Sequence, residues 1–326
     1  MREVCRFVRP PVQRQRAVGE RYNPDVIDGA TAVAIHDRLG AQLSRPRQAY
    51  RPLLVDNGIA GWVDDARAAR IAAFADVFAV RHDGIAFVPT IDSAPARTAA
   101  LERVARTLEA EGSLSAWRDE RYAVASEFGA APWFLLERAA ARYFGIHTYA
   151  VHVNGLVRRG DEIAMWIARR SPTKAIDPGM LDNLVGGGIA HGQSIACAVL
   201  KEAWEEAGIP PDAAVTASPA GEVRVCRELA DGLERETIFV YDILLASDFT
   251  PACQDGEAVE HRLVALRNAG VLIANETGPD VVTINASLVI LDCLLRRGAI
   301  ALDAPLRGVL EALRHAARGT VCAFDP

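Results

Sequence analysis

Three glycine-bearing turns, each set between two apolar runs, constrain this chain more than any other feature. Asp56-Asn57-Gly58 separates residues 50–55 from 59–63, and His82-Asp83-Gly84 separates 77–81 from 85–89. Arg158-Arg159-Gly160-Asp161 separates 148–157 from 162–169. Short turns built around Asp, Asn and Gly supply the backbone twist that antiparallel strands need, so each site predicts a hairpin. Stretches of helical period lie between and after them, at 32–43, 65–74, 94–110, 132–143, 194–207, 284–296 and 305–317. Further strands are expected at 223–227, 237–246 and 261–266. In the helix over 94–110, Leu101, Val104, Ala105 and Leu108 form one apolar stripe. Hairpins interleaved with amphipathic helices predict an α+β fold.

At 326 residues the chain is long enough for about two domains. Residues 1–29 carry many Arg and two adjacent Pro without periodicity, and read as a flexible tail. Residues 30–130 read as a small α+β unit with no cluster of catalytic residue types, and 131–326 as a second domain. Lys plus Arg is 36 and Asp plus Glu is 42, a net charge of −6. That balance argues against a nucleic-acid polymer as partner. No apolar run reaches membrane-span length, and no apolar stretch follows the charged N-terminus, so no membrane role is expected. Six scattered cysteines without a Cys-x-x-Cys spacing read as reduced thiols, and the expected compartment is the cytoplasm.

The chemistry concentrates between Gly187 and Ile209. Ala196, Val199, Leu200, Ala203 and Ala207 fall on one buried helical stripe, and Glu202, Glu205 and Glu206 fall on another face. Like charges at i, i+3 and i+4 destabilise a helix, and glutamates near its C-terminus oppose the macrodipole. A divalent cation relieves both penalties, and Mg²⁺ or Mn²⁺ favours such oxygen ligands. Alone, the triplet is most often a solvated acidic face. Gly186, Gly187, Gly188 and Gly192 beside it permit a tight loop and close backbone approach. No Gly-Lys-Ser/Thr follows, so this is not a P-loop.

With these residues in place, the segment resembles the Nudix box, G-x5-E-x7-R-E-U-x-E-E-x-G-U, over residues 187–209. Gly187, Glu202, Glu205, Glu206, Gly208 and Ile209 stand at the pattern's positions, with Ala203 at an aliphatic one. Two residues depart: Gln193 replaces the first Glu and Lys201 replaces Arg. Gln193 can still brace the loop by hydrogen bonding. Lys201 keeps a charge for a neighbouring carboxylate but loses the guanidinium fork. Gly61-Trp62-Val63, Trp117-Arg118-Asp119-Glu120, Tyr143-Phe144-Gly145-Ile146, His152-Val153-Asn154-Gly155 and Leu181-Asp182-Asn183 extend the likeness across about residues 31–300. They are similar to a thiamine-pyrophosphokinase-associated Nudix subfamily, in which an accessory domain precedes the Nudix domain. No kinase sequence follows here, so kinase activity is not implied.

The resemblance implies a Nudix α/β/α sandwich with a mixed sheet, preceded by the small α+β accessory domain. It implies a Mg²⁺- or Mn²⁺-dependent diphosphatase acting on a small-molecule diphosphate. Glu202, Glu205, Glu206 and the Gly187 carbonyl are the expected metal ligands, with Glu206 and Glu205 also catalytic. Glu260 is the first candidate for an assisting downstream carboxylate and Glu257 the second; a polar loop before a strand accounts for either equally well. Arg169, Arg170 and Lys174 are candidate phosphate binders, with an exposed strand end the alternative for each. Trp133, Tyr143, Phe144, Tyr149 and Trp166 are candidates to stack on a ring, though such residues more often belong to a core. His147 and His152 read as structural. The subfamily implies oxo- or oxythiamine diphosphate as substrate, with 8-oxo-dGDP or a non-catalytic binding module as alternatives. The chain is expected as a monomer or homodimer.

Overall fold

The computed structural model describes residues 29–42, 49–56 and 58–298, with 308 and 311. The tail over 1–28 and most of the helix expected at 305–317 lie outside the described residues. In chain order the elements begin with α1 (Gly29–Gln42), β1 (Tyr50–Val55), β2 (Gly58–Asp64) and α2 (Asp65–Ala72). Then come β3 (Phe78–Arg81), β4 (Gly84–Phe87), α3 (Ala94–Ala110), β5 (Arg121–Val124) and β6 (Phe134–Glu137). Next are β7 (His147–Arg159), β8 (Glu162–Arg170), β9 (Leu181–Asn183), β10 (Val185–Gly188), α4 (Ile195–Ala207) and α5 (Pro211–Ala214). The last described elements are β11 (Ser218–Leu229), β12 (Gly232–Leu245), β13 (Ala258–Ala265), α6 (Leu266–Ala274) and α7 (Ile284–Arg296).

All three turn signals make antiparallel hairpins: β1 with β2, β3 with β4, and β7 with β8. The first two hairpins join through a parallel β1–β4 pair into a four-stranded sheet ordered β2-β1-β4-β3. α3 spans the expected residues, and its apolar stripe is buried in the core of this unit. That core runs on through Phe134, Leu136, Tyr143, Phe144 and Ile146.

The larger sheet has the path β11-β12-β7-β8-β13, with β10 added on β7 and β9 on β8. β12 runs parallel to β7 and the other pairings are antiparallel, so the sheet is mixed. One apolar layer joins α1, α6 and α7 to the sheet, and another joins α4 to it. This is the helix–sheet–helix sandwich expected from the sequence. α1, grouped with the first unit by sequence, lays Ile35 and Leu39 into the α6–α7 layer of the second. Arg38 secures it there, donating to the Ile273 carbonyl at 2.7 Å and to Ser287 Oγ at 3.1 Å.

Two expectations are corrected. Residues 132–143 do not form a helix: residues 134–137 are strand β6, paired antiparallel with β5, and only 138–140 make a 3₁₀ turn. Pairing with β5 and burial of alternate Phe134 and Leu136 override the helical composition of the segment. Nor are the described cysteines uniformly reduced: Cys253 and Cys293 are free thiols, whereas Cys197 and Cys226 are disulfide-bonded. Cys5 and Cys322 lie outside the described residues.

Candidate active site

Local sequence sets α4 in place at both ends. Ser194 caps its N-terminus by accepting from the Cys197 N–H at 3.2 Å. Gly208 ends it in the left-handed conformation at φ 63°, where a non-glycine residue would be strained. The loop before the helix is braced by Gln193, whose side-chain carbonyl accepts from the Ala190 N–H at 3.0 Å. The substituted glutamine thus does the bracing expected of it.

Between these ends, Glu202 and Glu206 turn inward against β10 and are buried, with Glu205 half-buried beside them. Glu206 accepts from the Gly186 N–H at 2.7 Å. At Gly187 a β-carbon would lie 2.3 Å from Cδ of Glu202, so glycine lets the carboxylate sit directly on the strand. The glycine pair and the glutamate pair therefore interlock. Burial pushes the Glu202 carboxyl up and pushes that of Glu206 up to about 8. Lys201 reaches both Glu202 and Glu205 at 2.7 Å, which is the pairing expected of the residue that replaces Arg. Lys174 stands 3.8 Å from Glu206 and also pairs with Glu257.

Among the described residues, no three His, Cys, Asp or Glu side chains already stand as a metal-binding group. The donor set nevertheless suits a hard divalent cation. Two buried carboxylates and one half-buried carboxylate flank a strand of glycines, with Lys201 and Lys174 beside them.

A cavity of about 370 Å³ opens over Glu202 and Glu205, whereas the buried Glu206 does not line it. Its walls include Glu202, Glu205, Glu257, Arg170, Lys174 and Lys201. It also takes Arg118 and Arg138, which sequence reasoning did not assign. Both come from the segment between α3 and β7, so the site is shared between the first unit and the larger sheet. Arg118 lies in a stretch that carried the subfamily likeness; Arg138 was hidden by the mistaken helix over 132–143.

Of the candidate phosphate binders, Arg170 and Lys174 line this cavity and Arg169 does not. Arg169 is held outside by Glu260 at 2.8 Å and by the Gly179 carbonyl at 2.9 Å. Glu260 is absent from the cavity wall as well. It pairs with Arg169 across β13 and β8, and Arg262 and Arg169 hold its carboxyl down to about 2. Glu257 occupies the cavity instead. Burial raises its carboxyl, but Lys174, Arg118 and Arg138 outweigh this and bring it below the ordinary value.

None of the five candidate stacking aromatics lines this cavity or its extension, an adjoining compartment of about 400 Å³ that shares Arg118, Arg138, Arg170 and Lys174 with it. Tyr143 and Phe144 lie in the first core, Trp133 packs against it, and Trp166 and Tyr149 belong to the α4 layer. His147 stacks on Tyr149 with ring centres 4.8 Å apart, and burial pushes it down to about 4. His152 is tied to Asn183 at 2.8 Å but also borders the extension.

Comparison with known proteins agrees with this geometry. Residues 34–148 match a family described as a domain of unknown function, DUF4743, and residues 148–283 match the NUDIX domain. The chain is 35% identical over 273 residues to Nudix hydrolase 24, chloroplastic, of Arabidopsis thaliana, covering 83% of this chain and 73% of that protein. It is 36% identical over 260 residues to Nudix hydrolase 20, chloroplastic, of the same plant, covering 77% and 69%. A solved Deinococcus radiodurans protein aligns at a TM-score of 0.40 and 24% identity, over 52% of this chain and 97% of its own. The length and identity of the two plant alignments settle the assignment: this chain belongs to the Nudix hydrolases, with a DUF4743 region ahead of its Nudix domain, and it is an enzyme that hydrolyses pyrophosphate bonds.

Proposed function

We propose that the chain is a Mg²⁺- or Mn²⁺-dependent diphosphatase of the thiamine-pyrophosphokinase-associated subfamily, acting on oxo- or oxythiamine diphosphate. The observation that carries the site assignment is the interlock of Glu202 and Glu206 with Gly187 and Gly186, in which Glu202 and both glycines line a cavity rimmed by cations and Glu206 is buried beside it. The thiamine ring is taken from the subfamily likeness of the sequence. Glu202, Glu205, Glu206 and the Gly187 carbonyl hold the metal. When bound, the cation neutralises diphosphate charge and makes a water acidic enough to attack at neutral pH.

The chain's own groups do the rest. Arg118, Arg138, Arg170 and Lys174 orient the diphosphate oxygens through charge-assisted hydrogen bonds. Glu257, in the same wall, accepts the proton as the water oxygen bonds to the terminal phosphorus. The bond from that phosphorus to the bridging oxygen breaks, giving a monophosphate and inorganic phosphate. Arg169 and Glu260 are assigned to holding β8 and β13 together.

The partner is a small-molecule diphosphate rather than a nucleic-acid polymer or a membrane, and the chain acts as a monomer or homodimer. The division into an accessory region over 30–130 and a catalytic region over 131–326 belongs to the same reading. Among the described residues, no helix is long and apolar enough to cross a membrane. The two plant relatives carry the word chloroplastic in their names.

Phosphate release from oxothiamine, oxythiamine and thiamine diphosphates and 8-oxo-dGDP, with and without Mg²⁺, tests the proposal. Higher kcat/KM for the oxidised thiamine compounds supports it. Preference for 8-oxo-dGDP replaces the substrate, and no release from any compound with either metal overturns the reading.

A further inference from the structure

The carboxylate cavity continues into a second compartment of about 400 Å³. The two share Arg118, Arg138, Arg170, Lys174 and the strand Gly186–Gly188, so one ligand can occupy both. Such a volume suits a small organic group. One part of the wall comes from the segment between α3 and β7, through Ser113–Ala116 and Arg142, and another from β7, β12 and the start of α7.

Most of the ionic groups here are already committed to one another. Arg142 is bound to Glu234 at 2.8 Å, and Glu234 also accepts from Arg227 at 2.6 Å. Arg138 is bound to Glu120 at 2.7 Å and Arg170 to Asp182 at 2.7 Å. Glu236 differs. Its carboxylate accepts only from neutral groups, Thr148 Oγ1 at 3.2 Å and Asn285 Nδ2 at 3.0 Å. Among the described residues no cation forms an ion pair with it. Burial, and then the nearby Glu234, push its carboxyl up. Beside it, the side-chain carbonyl oxygen of Asn285 is buried with no hydrogen-bond partner. Asn285 Oδ1 thus holds acceptor capacity that no protein donor uses, and each Glu236 oxygen accepts from one neutral group only. Buried acceptors left this way are costly, and a ligand that donates to them is favoured over one that does not.

We propose that Glu236 and Asn285 form the recognition edge for the organic group of the substrate, and that this group is a nitrogen heterocycle presenting N–H donors. For the word substrate, this inference rests on the diphosphatase reading: the Glu202–Glu206 end takes the diphosphate and the Glu236–Asn285 end takes the ring. The first unit closes the ring compartment, so it is part of the specificity pocket. A ring offering only acceptors on that edge leaves the Asn285 oxygen unpaired and sets its own acceptors against the Glu236 carboxylate, and is rejected.

The test uses the intact chain without metal and a probe without phosphate. Benzamidine carries two N–H donors side by side; benzoate has the same shape with acceptors only. Isothermal titration calorimetry should show benzamidine binding and benzoate failing to bind. Glu236→Gln should weaken benzamidine at least tenfold, and Asn285→Ala several-fold. Thermal melting checks that both variants fold, and Asn285→Ala decides the matter if Glu236→Gln does not. Benzamidine binding that neither folded variant weakens, or benzoate binding as tightly as benzamidine, overturns the inference. Phosphate release separates the two readings. Release without benzamidine recognition leaves the diphosphatase standing and removes this edge. Benzamidine recognition with no release from any diphosphate keeps the edge and removes the diphosphatase.

Discussion

Gly187 and Glu202 are fitted to each other: a β-carbon on the glycine would lie 2.3 Å from the carboxyl carbon of the glutamate and 2.5 Å from its Cγ. The obstacle is a side chain rather than backbone, so the glutamate and its carboxylate are what must move. Gly187→Ala should therefore fold with a melting temperature near wild type while kcat/KM falls by about tenfold or more. Unchanged turnover would show that the position of Glu202 is immaterial.

Glu206→Gln keeps size and removes one charge from the proposed metal site. Activity should fall by about 10²-fold or more, roughly 3 kcal/mol in the barrier. Because the wild-type carboxyl is pushed up to about 8 by burial, the metal-free variant should be at least as stable as metal-free wild type. Melting with and without Mg²⁺ checks both halves: wild type should gain stability from Mg²⁺ and the variant much less.

The two downstream carboxylates should separate cleanly. Glu257 lines the cavity and Glu260 is engaged with Arg169 and Arg262 outside it. Glu257→Gln should lower kcat by about tenfold or more. Glu260→Gln should leave kcat/KM within about twofold and cost less than about 1 kcal/mol of stability, since the ion pair is partly exposed. Steady-state kinetics and urea melts on both variants distinguish these outcomes.

Acid should act through Asp242. Burial raises this carboxyl, but Arg296, Asn154 and Arg297 outweigh it and bring it below its ordinary value. Arg296 grips it with two hydrogen bonds of 2.9 and 3.0 Å, joining α7 to β12. A depressed folded-state value means that the contribution is complete above the unfolded value and is lost as pH falls through the folded one. Asp242→Asn should cost about 3 kcal/mol at pH 7, and the gap between wild type and variant should narrow below about pH 4. Denaturant midpoints across that range measure it.

The limits of sequence reading show at particular residues. The hairpins and α4 were legible because a turn, a cap and a helical stripe are local and their signals lie within a few residues. The segment 132–143 misled because its composition is helical, while its pairing with β5 depends on a partner some dozen residues away. Glu260 misled for a similar reason: its spacing from Glu257 says nothing about which side chain faces the cavity. The register of β13 on β8 decides that by setting Glu260 opposite Arg169.

From sequence alone came the α+β class, the box helix with its three carboxylates, the glycines beside them and the roles of Gln193 and Lys201 in the loop and ion pairs. Each rests on periodicity or on contacts within one helix and its flanking loop. Only tertiary structure brought Arg118 and Arg138 to the carboxylates, set Glu257 rather than Glu260 in the wall, and joined Glu236 on β12 to Asn285 on α7. These groupings cross 49 or more residues of sequence (285 − 236 = 49 for the nearest pair), where no short-range pattern carries information. They form because the sheet and the apolar layers on its two faces fix which strand and helix ends meet at one cavity.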